Sequence, residues 1–364
     1  MILDCGRARI ARFAVTLTLG ATVVALAGDA FAQDILLDHG PGREQAILDG
    51  ARKEGQVVLY SAAIVNQALR PLSDAFMKKY PFVKMTFWRG DTEEIIAKLG
   101  AEQRANNIVA DVGEGTGVGD LAVGAALTQP FFPPQVEALP ERYRDPKGRW
   151  GYTRVSYFGI AYNTKLVAAA DVPKSYDDLL DPRWQGKLAW RVGTASGTPL
   201  FITALRLSRG EGKALAYLHR LALQKMINFG SGSARTLVDR VIAGEFPIAL
   251  NIFAHHPLIS KAKGAPVDSQ LLAPVPSTAG TMVIVKGVRH PNAALLLADF
   301  ILSKEGQQIL ANAEYFPVRS DVAPQPALAS VIPERAGVPE LFLSPDLLNQ
   351  NTARSEKIFE ELFQ

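Results

Sequence analysis

The sequence predicts an α/β protein built from two units. Short apolar runs alternate with segments of helical period over 57–112, and the same alternation resumes over 158–253 after a proline-rich connector at 130–140. Strands that alternate with helices pair in parallel through right-handed crossovers, so each unit is a sheet covered by helices. The length of 364 residues agrees, since single cores stop growing at roughly 250 to 300 residues.

The elements follow in order. Val57 to Tyr60 is a strand that ends at Ser61, and Ile64 to Tyr80 carries Leu69, Leu72 and Phe76 at helical spacing. Val83 to Trp88 is a second strand, Arg89 to Thr92 a turn, and Thr92 opens a helix with acidic residues in its first turn. Val109 to Val112 is a third strand, followed by a glycine-rich turn from Gly113 to Gly119. In the second unit Phe158 to Tyr162 is a strand, Ser175 to Asp178 a capped helix start, and Leu188 to Arg191 a strand. Helices follow at Pro199 to Leu207, Gly212 to Leu223 and Ala234 to Ala243, with short strands at Ile227 to Phe229 and Ile248 to Phe253. Leu271 to Val275 and Met282 to Val285 read as strands, and Pro291 to Leu302 as a helix with proline in its first turn. Ser303 caps a short helix. Six prolines from Pro317 to Pro345 form a surface strap before a helical end at Ser355 to Phe363.

Residues 1–32 stand apart from this pattern. Arg7, Arg9 and Arg12 precede an uncharged run from Phe13 to Ala27, and Ala30-Phe31-Ala32 offers small residues where a signal peptidase reads. A cleavable secretory signal ending before Gln33 is expected, because the run is too short to span a membrane. Its removal takes three Arg and two Asp, leaving 36 basic against 34 acidic residues, and it removes Cys5, the only cysteine. The mature chain would then have no thiol, which excludes disulfides, thiolate metal sites and cysteine nucleophiles. A nearly balanced charge without a Lys/Arg stripe argues against nucleic acid as a partner.

Three loops carry candidate chemistry. Gly113 to Gly119 matches neither a dinucleotide fingerprint nor a P-loop, and Glu114 at its centre is either a ligand-facing carboxylate or a solvated one. Ser196-Gly197-Thr198 precedes a helix whose first turn holds Pro199, which suits either an anion on the positive helix end or plain N-capping. Gly230 to Ser233 repeats the pattern, and Arg235 adds a cation able to grip a carboxylate or phosphate with two parallel bonds. His255-His256 has no third ligand at fixed metal spacing, and neither H-E-x-x-H nor G-x-S-x-G occurs. No catalytic set is assembled, and no cofactor is expected.

Lys53 to Ala62, Phe76 to Pro81, Ala110-Asp111-Val112, Gly159 to Asn163, Tyr176 to Lys187, Gly244 to Leu250 and Ser303 to Gln307 resemble, in that order, the periplasmic solute-binding proteins of ABC importers, closest to the ferric-ion-binding branch. The resemblance implies a two-lobed type II periplasmic-binding-protein fold, with the ligand held in a cleft between lobes that closes on binding. It implies residues 33–150 plus 277–330 as one lobe, 151–276 as the other, and 331–364 as a C-terminal strap and helix. The ferric branch holds iron with a His in the first loop, a Glu after the third strand and two adjacent tyrosines. Here the first loop is Ala62 to Val65 and the tyrosine positions carry Phe253 and Ala254, so that Glu114 alone survives. The branch's anion site, a Ser-Gly-small helix start with an Asn at a strand end, is matched by Ser196-Gly197-Thr198 and Asn251. The expected function is a monomeric, non-enzymatic periplasmic protein that delivers a small anion to an ABC permease. Expected ligand contacts are Ser61, Arg89, Glu114, Ser196, Gly197, Thr198, Ser233, Arg235, Asn251 and His255. Ferric iron or a ferric chelate, a hydrolase or transferase on the same fold, and a chemoreceptor partner are the alternatives.

Overall fold

A computed structural model describes residues 35–192, 196–230 and 233–364. The expected leader, residues 1–32, lies outside them, as do loop positions 193–195 and 231–232.

The first lobe begins with helix α1 (Arg43–Glu54), strand β1 (Gln56–Ser61), helix α2 (Arg70–Lys79), β2 (Lys84–Arg89), α3 (Thr92–Arg104), β3 (Val112–Thr116), α4 (Val118–Gly124) and β4 (Thr128–Gln129). β1 pairs in parallel with β2 on one side and β3 on the other, the arrangement that strand and helix alternation demands. The chain then enters β5 (Gly151–Asn163), followed by β6 (Leu188–Arg191), α5 (Thr198–Arg209), α6 (Glu211–Ala222), β7 (Ile227–Phe229), α7 (Ala234–Ala243), β8 (Ile248–Phe253), α8 (His255–Lys261) and β9 (Val267–Gln270). It returns through β10 (Val275–Val285), α9 (Pro291–Leu302), α10 (Lys304–Asn312), β11 (Phe316–Pro317), α11 (Pro333–Ala336), β12 (Glu340–Phe342) and α12 (Pro345–Phe363).

Two lobes result because β5 serves two sheets. Its first half, through Tyr157, pairs antiparallel with β10, whereas Phe158 onward pairs with β8 and β9. The second crossing runs from β9, in the second sheet, to β10, in the first. The boundaries expected at 150/151 and 276/277 fall on first-lobe stretches of these strands, while the changeovers lie at Tyr157/Phe158 and over 271–274. The first lobe is packed around Leu59, Phe76, Val112, Met282 and Phe300. The second sheet is covered on one side by Trp190, Phe201, Leu218 and Phe359, and on the other by Leu237, Val241 and Ile252.

Several elements differ from their sequence expectation. β3 runs through Thr116, so two of the glycines read as a turn are strand residues. A Cβ at Gly113 would meet Val283 and Leu99 at 3.2 and 3.3 Å, and one at Gly115 would meet Ala62 and Val118 at 3.0 Å, so a side chain at either position would press its neighbours aside. Only Gly117, with φ of 86°, is the turn, and it opens α4. The strand expected at 271–275 is not formed over 271–274, and the one expected at 282–285 is the end of a single buried strand, β10, which starts at Val275 and whose middle of small and polar residues carries no alternation to read. The helix expected from Ser175 is a single 3-10 turn at Asp177–Leu180, and α12 starts at Pro345.

Candidate ligand-binding cleft

On the second lobe the geometry centres on the turn that leads from β6 into α5. Gly197 occupies the N-cap position of α5 and no side chain caps the helix, so the capping role open to Ser196 and Thr198 is not taken. Asn251, at φ of 53° on β8, instead reaches across and donates from Nδ2 to the carbonyls of Ser196 and Gly197, each at 2.8 Å. Arg191, at the end of β6, donates from Nη2 to Ser196 Oγ at 2.5 Å. Burial lowers this guanidinium's pKa, against the pull of Glu93 and Asp91 on the opposite lobe. Thr198 Oγ1 and Asn251 Oδ1 are buried with no protein partner. The positive end of a 12-residue helix, a buried cation and unspent hydroxyl and amide groups thus meet at one turn.

The neighbouring loop behaves differently. Ser233 caps α7, its Oγ accepting from the Thr236 amide at 3.1 Å. Arg235 lies in the first turn of the same helix, pairs with Asp239 at 2.7 Å, and keeps 43 % of its side chain exposed. A further bond to the His256 carbonyl at 3.4 Å places it at the rim.

On the first lobe, Ser61, the last residue of β1, meets Glu114, the middle residue of β3, as its partner across the paired strands. Glu114 Oε2 accepts from Ser61 Oγ at 2.5 Å, while Oε1 accepts from Thr153 Oγ1 at 2.9 Å and from Arg154 Nη1. Burial pulls the Arg154 guanidinium down, but Glu114 and Tyr315 hold its pKa above the usual value. Its guanidinium carbon lies 4.8 Å from the Tyr315 ring centroid, and the Tyr315 hydroxyl accepts from the Ile64 amide at 3.1 Å. Glu114 is therefore an internal counterion in this arrangement, with both oxygens engaged. Arg89 sits at the end of β2 and pairs with Asp91 at 2.8 Å.

Between these groups lie the histidines. His255 is 2 % exposed, neither ring nitrogen has a partner, and burial together with Arg154 lowers its pKa to about 3. His256, its ring 4.6 Å away, is held well below the ordinary value by burial, His255, Arg235 and Arg191. Among the described residues no three His, Cys, Asp or Glu side chains gather in a way that could hold a metal ion.

Arg154, Arg191, Tyr315 and His256 were absent from the residues expected to bind. Arg154 left a legible signal, a lone charge inside the apolar and aromatic run from Trp150 to Tyr162, and Arg191 is the charge that closes a buried strand.

Residues 115–341, more than half the chain, match the family described as bacterial extracellular solute-binding protein. The chain belongs to that family. This solute-binding protein is 32 % identical over 278 residues to an uncharacterised protein of Haemophilus influenzae, covering 72 % of this chain and 78 % of the relative. It is 26 % identical over 282 residues to the Fe(3+)-binding periplasmic protein of Serratia marcescens, covering 75 % and 81 %. Its fold superposes on the periplasmic binding protein AfuA from Actinobacillus pleuropneumoniae, solved with fructose-6-phosphate, with a TM-score of 0.71 at 23 % identity, covering 85 % of this chain and 98 % of the other.

Proposed function

We propose that this solute-binding protein captures a small anion, a carboxylate, phosphonate or phosphate ester, in the cleft between its lobes and delivers it from the periplasm to an ABC permease. The observation that carries the reading is the uncapped start of α5, held open by Asn251 and flanked by the buried Arg191. An anion there would accept from helix amides and the Thr198 hydroxyl in a site shielded from water, where charge-assisted bonds are strongest. A fold neighbour solved with a phosphate ester supports the same class. The ferric alternative finds a poorer donor set. Fe(III) takes anionic oxygen ligands, whereas Glu114 is paired with Arg154 and the nearby imidazoles are neutral.

The test is calorimetric titration of the mature chain with an anion panel, repeated on Arg191→Ala with circular dichroism as a fold control. Losing a buried charge-assisted anchor costs roughly 2 to 5 kcal/mol, so affinity should fall at least about thirtyfold. A loss within about threefold, below roughly 0.7 kcal/mol, would overturn the anion assignment at this turn.

A further inference from the structure

The anion site accounts for one end of a ligand, and the groups beside it bear on the other end. Four side chains next to the α5 turn carry buried polar atoms with no protein partner: Thr198 Oγ1, Asn251 Oδ1, both ring nitrogens of His255, and Nδ1 of His256. Three of them are over nine-tenths buried, with Thr198 1 %, His255 2 % and Asn251 7 % exposed. They adjoin one another through the chain and across it. Asn251 grips the turn that contains Thr198, the same strand leads through Phe253 into the two histidines, and Arg191 of the turn acts electrostatically on His256.

None of these groups carries charge at neutral pH, because burial keeps both imidazoles deprotonated. A neutral imidazole presents one donor and one acceptor, an amide oxygen only accepts, and a threonine hydroxyl does both. Aromatic rings close the sides: Phe253 lies 5.1 Å from the His256 ring, and Phe316 lies 5.4 Å from that of His255. Each alternative ligand body fails on part of this set. A purely aliphatic body would leave every polar atom unsatisfied, and a second carboxylate could accept from the imidazole and threonine donors but would leave the Asn251 oxygen and the imidazole acceptors unpaired. Hydroxyl groups both donate and accept, and their C–H faces pack on aromatic rings.

Resting on the anion reading above, we infer that the ligand body is polyhydroxylated, a phosphorylated or carboxylated sugar or polyol, and that His255, His256 and Asn251 read its hydroxyls. The test titrates the full mature chain with fructose 6-phosphate, n-hexyl phosphate, inorganic phosphate and free fructose, each also against His255→Phe and His256→Phe, which keep a ring while removing the nitrogens. Fructose 6-phosphate should bind at least tenfold more tightly than n-hexyl phosphate. One or both Phe variants should erase that margin while leaving inorganic phosphate within twofold. Tighter binding of n-hexyl phosphate, or a margin unchanged in both variants, overturns the inference and leaves the anion reading standing. Binding of free fructose with no gain from the phosphate overturns the anion reading and, with it, the phosphorylated or carboxylated ligand inferred here. Silence from all four probes, and from gluconate as the carboxylated counterpart, overturns both.

Discussion

Asp120 sits in the first turn of α4 with one carboxylate oxygen buried and unpartnered, and burial pushes its pKa up to about 7 against bonds from its own amide and that of Leu121. An acid whose folded pKa exceeds its unfolded value stabilises the fold fully below the unfolded pKa, and that contribution is lost as pH rises through the folded one. The window here runs from about pH 4 to about 7. Asp120→Asn should therefore raise the melting temperature at pH 8, by the equivalent of roughly 1 to 3 kcal/mol, and change it little at pH 4. Calorimetric melts at the two pH values check this. His255 slopes the other way. A base with a depressed folded pKa contributes its stability above the unfolded value near 6.5, and loses it as pH falls toward about 3. His255→Phe should flatten the acid limb of the stability profile by about one proton, and a proton-NMR titration of the wild type should show no shift of this imidazole between pH 5 and 8.

Asn251 shows how one strand end shapes another element's start. Its left-handed backbone suits asparagine or glycine, and its side chain holds the α5 turn by two bonds. Asn251→Gly keeps the backbone and loses the grip, so anion affinity should drop about ten- to a hundredfold with a small fall in melting temperature. Asn251→Ala should lose the same affinity and melt lower still, because alanine is strained at that φ. At β8 the tyrosine positions of the ferric branch carry Phe253 and Ala254. Loading with ferric citrate should accordingly leave the protein colourless in visible absorption, since tyrosinate bound to Fe(III) is what gives such sites their colour.

These elements also show what could be read in advance. The parallel strands β1 and β2 and the helices α3, α7 and α9 were legible because apolar period and capping residues agree locally. β3 lies three residues later than the strand expected at Val109 to Val112, and β5 and β10 run longer than expected, because Gly113, Gly115, Arg154, Ser156 and Ser277 are buried for close approach or for pairing across sheets, which no local period records. The α5 turn was visible as a motif. Its partners were not, since Asn251 lies 54 residues from Gly197, and a separation of 40 residues hides the pairing of Glu114 with Arg154.

The two lobes are tied by the crossing strands and also by the chain's end. β12 pairs with β10 in the first sheet, and α12 then lies on α5 and α6 of the second lobe while also touching α4 of the first. Arg149 holds Asp346 at the helix start with bonds of 2.7 and 2.8 Å, Thr203 and Ser355 share a buried bond of 2.8 Å, and Asn228 reaches the Phe363 carbonyl at 2.8 Å. Ile358 and Phe359 belong to the core that contains Trp190 and Phe201. Deleting residues 345–364 should leave the first lobe folded and loosen the second, read by limited proteolysis as cuts within 158–270 while 56–116 stays protected. This arrangement bears on how the protein is made. The side chains that complete the second core follow β10 and α9 of the first lobe in chain order, so that core stays unfinished until the chain has passed back through the first lobe. Two lobes that look separable by their sheets are thereby coupled in time, the second waiting on a late-arriving helix while the first can already close.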